Sequence, residues 1–137
     1  MRSRRLVWIA WATVGLYVLV AVCLTHIPKA PTELTPIGDK RLHMAGYFLY
    51  ATAIYTAGAI TWPRFRWLAL ATVLTLAAWA ALDELTQPLF GRHCDFLDWQ
   101  ADLLGATAAV VVLSILRRTA RRWERRLVPS PGTPGEG

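Results

Sequence analysis

The sequence predicts an all-α integral membrane protein, a four-helix bundle with both termini in the cytoplasm. Three observations carry that expectation. The chain is 55% hydrophobic with a mean hydropathy of +0.34, too apolar for a soluble domain of 137 residues. Apolar runs of the length that crosses a bilayer recur along it. Arginines gather at alternate ends of those runs, the asymmetry that sets membrane orientation.

The first span covers about residues 6–25, behind the basic flank Met-Arg-Ser-Arg-Arg. A basic flank and an apolar core also describe a secretory signal, and Cys23 follows Val20-Ala21-Val22 as in a lipoprotein cleavage site. Val22 is branched where a small residue is required, and the apolar run is long, so a retained span is predicted. Pro28, Pro31 and Pro36 make 26–38 a loop. Asp39 opens a second span, about 40–60, where a carboxylate suits the free N–H groups of a first turn. A short basic turn with interfacial aromatics, 61–66, leads to a third span over 67–85, ended near Pro88 and Gly91. The fourth runs over 96–116. Six arginines follow it, then a Pro/Gly-rich tail, 127–137, that is expected to be disordered.

Four spans put both termini on one side. Arg2, Arg4, Arg5, Arg64, Arg66 and the six late arginines share that side with Glu124 and Glu136, for a net +9. Lys29, Lys40, Arg41 and Arg92 lie on the other with seven acids, for a net −3, and the two make the +6 of the chain. The positive-inside rule places the arginine-rich side in the cytoplasm. The basic charge then serves topology and anionic headgroups, so lipid is the expected partner and nucleic acid is not.

The start of span two and the facing ends of spans three and four meet at the outer side. Asp39, His43 and Tyr47 recur at one-turn spacing and share a stripe, with Gly46 beside it. Asp83, Glu84 and Gln87 close the third span. Asp95, Asp98, Asp102 and Gly105 form a stripe on the fourth, where Ala101 and Gly105 leave room for close packing, as Gly46 does on the second. Ionisable groups at such depth are costly unless they face a partner or a cavity, so the three stripes predict one shared polar cluster. Lys40, Arg41 and Arg92 are its nearby counter-charges. The candidate acid–base pair is His43 with Asp83 or Glu84. Arg92 is the candidate anchor for an anionic group, or a structural salt bridge to Asp98 and Asp102. Asp95 reads equally as a helix cap.

The ordered set Asp39-Lys40-x-x-His43-x-x-x-Tyr47, then Asp83-Glu84-Leu85-Thr86-Gln87, Arg92 and Asp95-x-x-Asp98-x-x-x-Asp102-x-x-Gly105 resembles the VanZ-like family of small bacterial membrane proteins, over about residues 38–106. The chain departs from that pattern at Asp102, where the family more often has Asn. The resemblance implies a multi-pass protein of the bacterial cytoplasmic membrane, linked to the cell envelope and to tolerance of glycopeptides such as teicoplanin. It implies no particular reaction.

Two functions follow as expectations. In the first, the cluster binds or modifies a lipid-linked or cell-wall substrate at the outer face. In the second, it is a polar lock in a non-enzymatic membrane scaffold that binds a partner. A proton-coupled carrier is a weaker third, since four spans without internal repeats lack the plan of larger transporters. His43, His93 and the carboxylates are legitimate metal ligands, but no H-E-x-x-H or comparable spacing occurs, and neither metal nor cofactor is predicted. Cys23 and Cys94 have no metal-ligand spacing, and their pairing is left open.

Overall fold

A computed structural model of the chain describes residues 3–25, 38–91 and 93–127, apart from the side chains of Thr25 and Asp39. It is all-helical: α1 (Arg4–Thr25), α2 (Asp39–Thr61), α3 (Leu68–Thr86) and α4 (Phe96–Leu127), with a short 3-10 turn, Gln87–Phe90, between the last two. The expected loop over 26–38 lies, except for Gly38, outside the described residues, as does 128–137 of the expected tail.

Three helices, α1, α3 extended through the 3-10 turn, and α4, are long and apolar enough to cross a membrane. The second expected span falls short by composition. Its first five residues include Asp39, Lys40, Arg41 and His43, and three tyrosines follow. Packing supplies the reason such a helix is tolerated. Helix α2 touches each of the other three, and Tyr47, Tyr50, Ala51, Tyr55 and Ala57 are buried along it. Helix α1 is its opposite. Among the described side chains of α1 only Val14 is buried, while Trp8, Ile9, Leu16, Leu19 and Leu24 are exposed, an apolar surface suited to lipid.

Helices α1 and α2 are antiparallel. The Trp11 indole N–H donates to Thr61 Oγ1 at 2.9 Å and the Tyr17 hydroxyl to the Gly46 carbonyl at 2.5 Å. Helices α3 and α4 are also antiparallel, held by the Trp99 indole N–H on the Ala77 carbonyl at 3.1 Å. Helices α2 and α4 run parallel and make the most extensive contact of the fold. Their pairing steps from Lys40 and Asp98 through His43 and Asp102 to Tyr55 and Ser114.

Small residues make that seam. The buried face of α4 is Asp98, Ala101, Asp102, Gly105, Ala106, Ala109 and Val110, one stripe of helical period. At its centre a Cβ on Gly105 would run into the Met44 backbone carbonyl, so glycine is required for the two backbones to approach. Gly46 is different. A Cβ there would stand 3.6 Å from the Tyr17 hydroxyl, an ordinary contact, and the position receives a side chain from α1 rather than a helix backbone.

Helix α4 does not stop at 116. It continues through Arg117, Arg118, Arg121, Arg122, Arg125 and Arg126 to Leu127, because arginine and alanine sustain a helix well. Its 32 residues span about 48 Å, against an apolar thickness of about 30 Å. Arg117 and Arg121 both donate to the Pro63 carbonyl of the α2–α3 turn. The start of α1, that turn and the far half of α4 therefore share the basic end of the molecule.

Candidate functional site

The opposite end begins with a tight reversal. After α3 the 3-10 turn closes on Gly91, whose φ of +73° lies in the left-handed region that favours glycine. The chain re-enters at Asp95, which caps α4: its Oδ1 accepts the Leu97 N–H at 2.8 Å. The Asp95 N–H in turn donates to Glu84 Oε2 at 2.9 Å. Gln87 Nε2 donates to Glu84 Oε1 at 3.1 Å, so both oxygens of this buried carboxylate are held by neighbours on either side of the turn.

From α2, Lys40 Nζ reaches Asp95 Oδ2 at 3.0 Å and Asp98 Oδ1 at 3.2 Å. One turn on, His43 Nδ1 lies 3.0 Å from Asp102 Oδ1, and its Nε2 lies 3.8 Å from Asp98 Oδ2. The parallel seam causes this match. Lys40 and His43 are three residues apart on α2, Asp98 and Asp102 four apart on α4, so each pair presents one face to the other. Asp98 and Asp102 are 2% and 0% exposed, and Glu84 is 3%. Buried carboxylates at these positions are tolerable only with such partners.

The structure thus brings together Lys40, His43, Glu84, Gln87, Asp95, Asp98 and Asp102, from three helices. Asp83 is also buried, and with His43 it lines an apolar cavity of ≈ 350 Å³. Tyr47 is buried beside it, its ring 6.0 Å from that of Tyr50. Asp39 begins α2, but the contacts of its side chain lie outside the described residues, as does Arg92 with both of its expected roles.

One set of partners goes beyond the sequence reading. The structure sets two carboxylates of α4, Asp98 and Asp102, in ion-pair range of His43, beside the Glu84 expected from the sequence, which offers an oxygen within 4.8 Å of a His43 ring nitrogen. The reason is the α2–α4 seam, which no local pattern encodes. Sequence reasoning does not reach several residues of the cavity wall, Tyr17 and Trp79 among them. Tyr17 had a signal: it is a hydroxyl within an otherwise apolar span. Cys23 and Cys94 are both exposed free thiols.

His43, Glu84 and Asp98 offer ligand atoms that all lie within 4.8 Å of one another. Spacing motifs find ligands that share one helix, and these three come from three. Chemically, the arrangement can move a proton between imidazole and carboxylate, hold a cationic group, or hold a metal ion. No family model, curated protein or solved structure matches the chain.

Proposed function

We propose that the chain is a four-span protein of the bacterial cytoplasmic membrane, VanZ-like in type, with both termini in the cytoplasm. Its acid–histidine pocket faces outward and binds or modifies a lipid-linked or cell-wall substrate, which links it to glycopeptide tolerance. The observation that carries this reading is the junction of two environments at His43. On one side of His43 stand the carboxylates of Asp98 and Asp102. On the other is the apolar cavity bounded by Tyr17, Tyr47, Tyr50 and Trp79. An amphiphile with a polar head and a hydrocarbon chain matches that pairing. Charge supports the orientation, since Arg64 and Arg66 of the α2–α3 turn and the six arginines late in α4 lie at the far end.

In this reading His43 and Asp102 move the proton, while Glu84 and Asp98 fix the polar head. Cells that carry His43→Ala or Glu84→Gln, with the protein inserted at wild-type level, lose glycopeptide tolerance and accumulate one envelope precursor. Wild-type tolerance in both strains overturns the proposal.

A second reading, a polar lock in a non-enzymatic scaffold, is favoured by the mutual pairing of Lys40, Glu84, Gln87, Asp95 and Asp98. Those bonds tie α2, α3 and α4 whatever else the pocket does. Under it, Glu84→Gln lowers thermal stability in detergent without any specific loss in cells.

A further inference from the structure

His43 is held as a metal-binding histidine is held. One ring nitrogen, Nδ1, is engaged by a fully buried carboxylate, Asp102 Oδ1, at 3.0 Å. With the Nδ1 proton donated there, the neutral ring carries its lone pair on Nε2, which faces Asp98 Oδ2 at 3.8 Å. A carboxylate behind a histidine in this way fixes the tautomer and raises the ring's basicity toward a cation. Glu84 completes the trio, its orientation set by Gln87 and by the Asp95 N–H.

A second observation is independent of that trio. Asp102 Oδ2 is buried and has no hydrogen-bond partner among the described residues. A buried carboxylate oxygen in that state is costly and calls for a donor or a cation at the same place. A water bound to a cation at the trio is such a donor.

We propose that His43 Nε2, Glu84 and Asp98 bind one divalent transition cation, zinc or manganese, with Asp102 orienting the histidine. A ligand set of one imidazole and two carboxylates is suited to these ions. Metal–ligand distances of about 2.1 Å require ligand atoms roughly 3.5 Å apart, and side-chain rotations close the trio from its present spacing. Lys40 sits on the other oxygen of Asp98, Oδ1, and so leaves Oδ2 to the cation. The proposal shares its pocket with the proposed function but requires no reaction there.

The test uses the full chain in detergent micelles, purified on a tag without histidine and stripped with a chelator. Zinc or manganese chloride is returned and bound metal is measured by equilibrium dialysis and elemental analysis. One ion per chain is expected. His43→Ala and Glu84→Gln raise Kd at least about tenfold, and Asp102→Asn raises it by about 10- to 100-fold. His93→Ala changes nothing, since His93 is exposed and outside the trio. Variants that remain helical by circular dichroism lose the rise in Tm with added metal that the wild type shows. Sub-stoichiometric binding by the wild type, or an unchanged Kd in helical His43→Ala protein, overturns the site. If the wild type binds no metal while His43→Ala still costs tolerance in cells, the metal site falls and the proposed function stands.

Discussion

Near the start of α4 two carboxylates are buried and interlocked with α2. Where α4 ends, the charges are exposed arginines. At the first end Asp98 and Asp102 are closed from solvent and gripped by Lys40 and His43. At the second, Arg118, Arg122, Arg125 and Arg126 stand exposed along a helix that has left the packed region. One helix thus carries both styles of charge. A buried charge is fixed by geometry and is costly to disturb, whereas an exposed one acts at long range, is screened by salt and is cheap to replace. Recognition of a substrate needs the first style and orientation in a membrane needs only the second.

The comparison breaks most severely at the seam that makes burial possible. Gly105→Val places a branched side chain against the Met44 backbone carbonyl. It is expected to cost about 3 kcal/mol or to prevent folding, since a backbone contact cannot rotate away. Gly46→Ala meets only the Tyr17 hydroxyl at an ordinary distance, and its effect stays within about 0.5 kcal/mol. Thermal unfolding in detergent measures both. Equal losses for the two variants would mean that α2 and α4 are not in backbone contact at Gly105.

The next effect in size compares the two ends directly. Asp102→Ala removes the carboxylate that engages His43 Nδ1 at 3.0 Å, at an expected cost of about 2 kcal/mol. Replacement of Arg125 and Arg126 by glutamine, at the exposed end of α4, costs less than about 0.5 kcal/mol. If the arginine pair proves the more costly, the far half of α4 is buried against something, and its charges belong to an interface rather than to solvent.

Sequence made each polar stripe legible for a local reason. Asp95, Asp98 and Asp102 repeat with the helical period, and so do Asp39, His43 and Tyr47, so a shared face follows from spacing alone. Polar groups at the same end of three spans then predicted that the stripes meet. What spacing does not carry is which stripe faces which. The pairing of His43 with α4 arises from two parallel helices separated by a whole antiparallel one, and a contact 59 residues apart in sequence leaves no local trace. The two glycines show the same limit. Gly46 and Gly105 both read as close-approach positions, and only the tertiary fold assigns a backbone to one and a tyrosine to the other. Helix α4 runs past the expected span over 96–116 because charge marks the edge of a membrane, while helix propensity marks the end of a helix.

The smallest expected effect concerns orientation, where many weak charges act together. Cys94 is exposed close to the buried cluster. In a Cys23→Ser background, a membrane-impermeant maleimide applied to intact cells is expected to label Cys94 if the arginine-rich end is cytoplasmic, as the positive-inside rule favours. Replacing Arg64 and Arg66 by glutamine removes two of eleven arginines on that side and the stacking of Arg66 on Trp67 at 4.9 Å. That stacking is worth about 0.5–1 kcal/mol at an exposed site, and the other nine arginines still favour the same side. The labelled fraction should therefore fall only slightly. Labelling of Cys94 that appears only after the cells are permeabilised would reverse the topology. The buried acid–histidine end would then face the cytoplasm, and an extracytoplasmic substrate would be out of its reach.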